Sequence, residues 1–133
     1  MFYPLLKVTG MKTFITMKTK ELKSNDAGGY LIVDRDVFTL GTKTTSLGRH
    51  SQNDCVIDEP YTSRHHAKIE FVEGNYVIYD LNSTSGTYIN KERIMRHTLQ
   101  DGDIITLGKY PVIFMYDEID IFQKHEAATG VLA

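Results

Sequence analysis

The chain has 133 residues, enough for one domain with its own core and too few for two ordinary ones. An apolar share of 41% and a charged share of 24% exclude a disordered or fibrous chain. A net charge of −2 gives no broad pull toward nucleic acid or a membrane surface, so a bound anion must be caught by a few well-placed groups. The lone cysteine, Cys55, offers neither an internal disulfide nor a thiolate metal cluster and suits a reducing, cytoplasmic setting. No metal and no cofactor is expected.

Residues 1–28 read as an N-terminal extension, flexible or contributing one strand at Thr13-Phe14-Ile15-Thr16-Met17. The extension is rich in Lys and Thr and closes on the loop-like Ser24-Asn25-Asp26-Ala27-Gly28-Gly29. Its first residues carry neither a charged leader nor an apolar run of membrane-spanning length, so a soluble protein is expected. Thr9, Thr13, Thr16 and Thr19 are candidate phosphorylation sites that would supply a ligand to the chain's own pocket or to a neighbour's.

Residues 29–117 read as the domain. Short apolar or β-branched runs alternate with Gly, Asn, Asp and Ser, the rhythm of an all-β sandwich. Strands are predicted at 30–33, 37–40, 45–47, 55–57, 67–72, 75–79, 88–89, 94–95, 104–107 and 112–116, with no segment holding a helical period. The clearest hairpin runs from Ala67 to Tyr79 through Glu73-Gly74-Asn75, and alternation sends Ala67, Ile69 and Phe71 to the core. Turns are predicted at Gln100-Asp101-Gly102-Asp103 and Gly108-Lys109-Tyr110-Pro111. Residues 118–133 hold the apolar patch Ile119-Asp120-Ile121-Phe122 and read as a tail or a short docking helix.

Three polar motifs sit at strand ends. Gly48-Arg49 presents a planar guanidinium fork suited to bidentate capture of phosphate or carboxylate, with a Gly to permit the turn. Tyr61-Thr62-Ser63-Arg64-His65-His66 opens the alternating strand; Ser63 can donate a hydroxyl proton, Arg64 adds charge, and His66 can hold the loop through backbone groups. Asp80-Leu81-Asn82-Ser83-Thr84-Ser85-Gly86-Thr87 forms a tight loop that exposes backbone and hydroxyl groups. Two other readings of the second motif are weaker. A Ser63–His66 hydrolytic pair lacks a nucleophile elbow and an orienting acid, and adjacent histidines on a strand point to opposite faces, against one shared metal.

In this order the motifs resemble the forkhead-associated (FHA) domain. Its pattern of Gly-Arg, Ser-x-x-His and an Asn-Gly turn leading into Thr-x-x-Asn is matched by Gly48-Arg49, by Ser63 to His66, and by Gly86-Thr87-Tyr88-Ile89-Asn90. Ser85 stands where the family usually has Asn. Asn53-Asp54-Cys55-Val56-Ile57 and Leu99 to Gly108 add to the likeness, which covers roughly Tyr30 to Tyr116.

The resemblance implies a two-sheet antiparallel β-sandwich with binding loops at one end, acting without chemistry of its own. The implied function is a phosphothreonine-dependent interaction module in Ser/Thr kinase signalling. The implied partner is a phosphothreonine protein, a kinase or its substrate, and neither nucleic acid nor membrane. The alternative is an FHA-like structural or oligomerisation domain without phosphate dependence, motivated by Ser85. By the same resemblance Arg49 and Ser63 grip the phosphate, Arg64 adds contacts, and Thr84 and Ser85 form the rim. Gly48, His66, Gly86 and Asn90 shape the loops. The stretches 58–62 and 82–85 would read partner residues beyond the phosphothreonine.

Overall fold

The computed structural model describes residues 26–117. Expectations for the N-terminal strand or leader and its threonines, and for the C-terminal tail or helix, lie outside the described residues. Eleven strands follow one another: β1 (Asp26–Val33), β2 (Asp36–Gly41), β3 (Thr45–Gly48), β4 (Cys55–Val56), β5 (Ala67–Val72), β6 (Asn75–Asp80), β7 (Thr87–Ile89), β8 (Glu92–Ile94), β9 (Arg96–Thr98), β10 (Ile104–Leu107) and β11 (Tyr110–Tyr116). They form a six-stranded sheet in the order β2-β1-β11-β10-β7-β8 and a five-stranded sheet in the order β4-β3-β5-β6-β9. The protein is an all-β sandwich of two mostly antiparallel sheets. The pair β3–β4 runs parallel, with Leu47 opposite Cys55 and Gly48 opposite Val56.

Alternation along the strands builds the core. Leu31, Leu47, Ala67, Ile69, Ile78, Ile105, Val112 and Phe114 are buried from both sheets, each large aliphatic contributing about 1.5–3 kcal/mol. The predicted inward set of β5 is buried at Ala67 and Ile69 and half-buried at Phe71. Tyr76 fills the centre against Phe71, Phe114 and Tyr116. Gly29 makes room for it, because a Cβ there would lie 2.5 Å from the Tyr76 ring.

Two strands differ from expectation. β1 begins at Asp26, inside the stretch read as a loop, because Asp26 pairs with Gly41 and Gly29 with Tyr116 across a bulge at which Gly28 takes a φ of 97°. Cross-strand pairing outweighs the weak strand propensity of Asp, Ala and Gly. The apolar pair Ile94-Met95 reads as one strand, but the chain changes sheets there. Ile94 pairs with Thr87 in the first sheet and Arg96 with Tyr79 in the second, leaving Met95 between them, 65% exposed.

The register fixes which loops meet. Ala67 lies opposite both Leu47 and Asp80, so the end of β3, the start of β5 and the end of β6 share one end of the sandwich. Leu107 lies opposite Thr87, which brings the start of β7 to that end. The described chain starts and stops at the other end, where the Asp117 amide donates to the Gly28 carbonyl.

Candidate functional site

Gly48 is buried at the end of β3, and a side chain there would overlap the Arg64 carbonyl and come within 2.8 Å of Asn53 Nδ2. Only Gly lets the β4–β5 loop lie against β3. Two backbone hydrogen bonds then zip the loop to the strand end: Arg49 N–H donates to the Ser63 carbonyl at 2.9 Å and His50 N–H to the Arg64 carbonyl at 3.2 Å. Arg49 and Ser63, fourteen positions apart in the sequence, become neighbours.

Arg49 Nε donates to the Thr62 carbonyl at 3.0 Å, which fixes the guanidinium plane and leaves its terminal nitrogens as donors. Thr62 is itself buried, its hydroxyl donating to the Leu107 carbonyl at 3.2 Å. Arg49 and Arg64 are exposed, and among the described residues neither has a carboxylate within ion-pair distance. Ser63 Oγ accepts the Thr84 amide proton at 3.2 Å, so its own proton remains free to donate. Arg49, Ser63 and the Thr84 backbone thus converge, with Arg64 and half-buried Ser85 beside them. The site is a small cluster of donors with two unpaired positive charges, matched to a tetrahedral anion.

His66 holds the two loops together. Fully buried, it accepts the Ser63 amide proton at Nδ1 (2.9 Å) and meets the Gly86 carbonyl at Nε2 (2.9 Å), the pattern of the neutral Nε2–H tautomer. Burial drives its pKa below the ordinary value of 6.5, outweighing the opposing influence of the Gly86 carbonyl and Asp80. Both ring nitrogens are committed to backbone groups, so His66 is not a base for the Ser63 hydroxyl and the pair has no nucleophile geometry. His65 is exposed and stacks on His50, ring centroids 5.4 Å apart. The adjacent histidines do not converge on one point.

Asp80 organises the third loop. It accepts from Ser83 Oγ at 2.5 Å, Thr87 Oγ1 at 2.7 Å and Ser83 N–H at 3.1 Å. Burial raises the pKa of this carboxyl, but those hydrogen bonds prevail and hold it below the ordinary 3.8. Gly86 closes the loop at a φ of +93°, where a side chain would also meet Arg93 Nε at 2.8 Å. Its carbonyl accepts from both His66 and the Gly108 amide.

The structure brings Gly48, Arg49, Ser63, Arg64, His66, Thr84, Ser85 and Gly86 to one end. Asn90 lies elsewhere, beyond β7 from Gly86 and on the order of 10 Å along the strand. There it ties the β7–β8 turn to the β9–β10 turn, donating to Asp103 Oδ1 at 2.9 Å and accepting the Ile104 amide at 3.0 Å. Sequence reasoning gave no role to buried Asn53, whose Nδ2 donates to the carbonyls of His50 (2.9 Å) and Arg64 (2.7 Å). Thr62, Asp80 and Ser83 were also without a role. Their signal was present only as Asn, Asp, Ser and Thr in turn-rich stretches, the residues that bond nearby backbone.

A two-sheet sandwich carrying its polar loops at one end is the architecture of an interaction domain, and the comparisons with known proteins agree. Residues 45–108 match the FHA domain family model, and the chain carries an FHA domain. It is 38% identical over 78 residues to an oxoglutarate dehydrogenase inhibitor of Corynebacterium efficiens, covering 59% of this chain and 55% of that protein. It is 36% identical over 78 residues to the glycogen accumulation regulator GarA of Mycolicibacterium smegmatis, covering 59% and 49%. The chain thus spans about half the length of these curated relatives. Among solved structures, Mycobacterium tuberculosis EmbR in complex with a low affinity phosphopeptide is 37% identical with a TM-score of 0.64, covering 71% of this chain and 26% of EmbR. An FHA domain studied for phosphothreonine-dependent interactions is 26% identical with a TM-score of 0.66, covering 69% of this chain and 99% of that one.

Proposed function

We infer that this chain is a phosphothreonine-dependent protein-interaction module in Ser/Thr kinase signalling, working in the cytoplasm without catalysing a reaction. The observation that carries this reading is the convergence of the unpaired Arg49 guanidinium with the free Ser63 hydroxyl proton beside the Thr84 amide. Arg49 takes two phosphate oxygens with its terminal nitrogens, Ser63 donates to a third, and Arg64 adds charge from the rim. Thr84 and Ser85 meet the peptide on either side of the phosphothreonine. Gly48, His66 and Gly86 act only by holding the loops, and Asn90 by shaping the opposite end. The partner is a phosphothreonine protein, either a kinase or its substrate. Support also comes from the phosphopeptide bound to EmbR, and from relatives named as a regulator and an inhibitor. A threonine methyl in a fitted cavity adds on the order of 1 kcal/mol, enough to favour phosphothreonine over phosphoserine where the loops are as firmly tied as these.

The test is binding of a fluorescent phosphothreonine peptide library to wild type, Arg49→Ala and Ser63→Ala. Each substitution removes charge-assisted hydrogen bonds worth about 1.5–3 kcal/mol, so affinity should fall roughly 10- to 150-fold while the thermal midpoint holds. Binding that survives both substitutions, or partner capture unchanged by phosphatase, would instead support the phosphate-independent structural domain that Ser85 suggests.

A further inference from the structure

The outer face of the six-stranded sheet carries an apolar row that the phosphate site does not use. Val37, Ile32, Ile113 and Ile104 are successive cross-strand partners on β2, β1, β11 and β10, so the four side chains stand in a line across the sheet. Val37 is 57% exposed, Ile104 44% and Ile113 38%, with Ile32 half-buried. Half-buried Tyr30 and Met115, also paired, continue the same face toward the end where the described chain starts and stops. Four branched aliphatic side chains aligned on a solvent face cost stability unless something covers them.

We propose that the C-terminal segment of this same chain covers the row, with Ile119, Ile121 and Phe122 laid across Ile32, Ile113 and Ile104. The reach is short. β11 supplies Ile113 and Met115 and ends at Tyr116, so a chain that reverses after Asp117 needs to travel back only about 13 Å, four strand residues, to lie over Ile113. The apolar cluster Ile119-Asp120-Ile121-Phe122 begins two residues beyond Asp117, and residues 123–133 leave ample length. A second copy fits the face less well. The row offers on the order of 250 Å², far below the roughly 800 Å² per partner of a stable interface, but enough for one short segment held at high effective concentration by its tether.

A spin label settles it in the full chain. Cys55 is buried and its thiol is pushed up to about 11 by burial and by Asp54, so a nitroxide placed through Gln123→Cys reacts at position 123 alone. The expected result is selective loss of the δ1-methyl signals of Ile32, Ile104 and Ile113, with Ile69 and Ile78 of the second sheet retained. Adding Ile121→Asp and Phe122→Asp, which lie outside the folded sheets, should restore the lost signals. Absent or uniform broadening overturns the proposal, as does broadening that survives the double substitution. Broadening between spin-labelled and isotope-labelled molecules in a mixture would overturn it in favour of a second copy. Selective loss from a nitroxide at Thr16→Cys instead would overturn it in favour of the N-terminal segment.

Discussion

The Ser63 amide donates to His66 Nδ1 at 2.9 Å, and through this bond a buried imidazole sets the position of the residue that presents its hydroxyl to the site. Because the other ring nitrogen meets the Gly86 carbonyl, one side chain joins two loops and must be neutral to do so. Protonation would place a second ring proton against the Ser63 N–H.

Stability should therefore depend on pH. The folded pKa of His66 lies below 6.5, chiefly through burial, so between the two values the unfolded chain binds more protons. The His66 contribution is fully present above 6.5 and is lost as pH falls through the folded pKa. Asp80, also lowered in the fold against the pull of burial, contributes above 3.8 and loses that contribution as pH falls further. Urea midpoints should fall on acidification from about pH 8 to about pH 5, and His66→Gln should flatten that dependence. An equal slope in the variant would contradict the assignment.

Gly48→Ala should destabilise the domain by about 2 kcal/mol or more, since the new methyl must displace the Arg64 carbonyl and crowd Asn53. Gly102→Ala is the comparison. A Cβ there meets nothing within 4 Å and suffers only a φ of +90°, a cost of roughly 1 kcal/mol. Chemical denaturation of the two variants should rank them in that order, and peptide affinity should suffer only in the first.

Asn53→Ala should cost about 1–3 kcal/mol, because two carbonyls lose their shared donor in a buried corner. Asn53→Asp should cost more, as a carboxylate oxygen would face the same two carbonyl oxygens. Both should weaken phosphopeptide binding by loosening the hold of the β4–β5 loop on Arg49. Paired calorimetry and thermal melts would expose a reversal of this order.

Ser85→Asn should tighten phosphopeptide binding by about 0.5–1.5 kcal/mol, roughly 2- to 12-fold. The longer amide can reach the main chain of a bound peptide, whereas the Ser hydroxyl stops short. Titration calorimetry with one phosphothreonine peptide checks this, and an unchanged or weaker affinity would place the peptide away from position 85. The gain should vanish with the unphosphorylated peptide.

Period-two alternation and turn residues made most of the fold legible, since strands such as β5, β6 and β10 depend on local pattern and on one buried face. The order of Gly48-Arg49, Ser63 to His66 and Gly86-Thr87 likewise marked the site, because each needs a residue type that chemistry restricts: a fork of charge, a short hydroxyl, a glycine. What tertiary structure alone decided depends on partners distant in sequence. Asp26 joined β1 because Gly41 and Tyr116 pair beside it, Met95 became a crossing between sheets, and Asn90 went to the opposite end because β7 separates it from Gly86. The roles of Asn53 and Thr62 were invisible for the same reason, since a donor in a turn acquires a function only when another loop's carbonyl is folded against it. The sequence alone determined which groups can grip an anion; only the packing of one loop on another, through Gly48 and His66, decided that they face the same point.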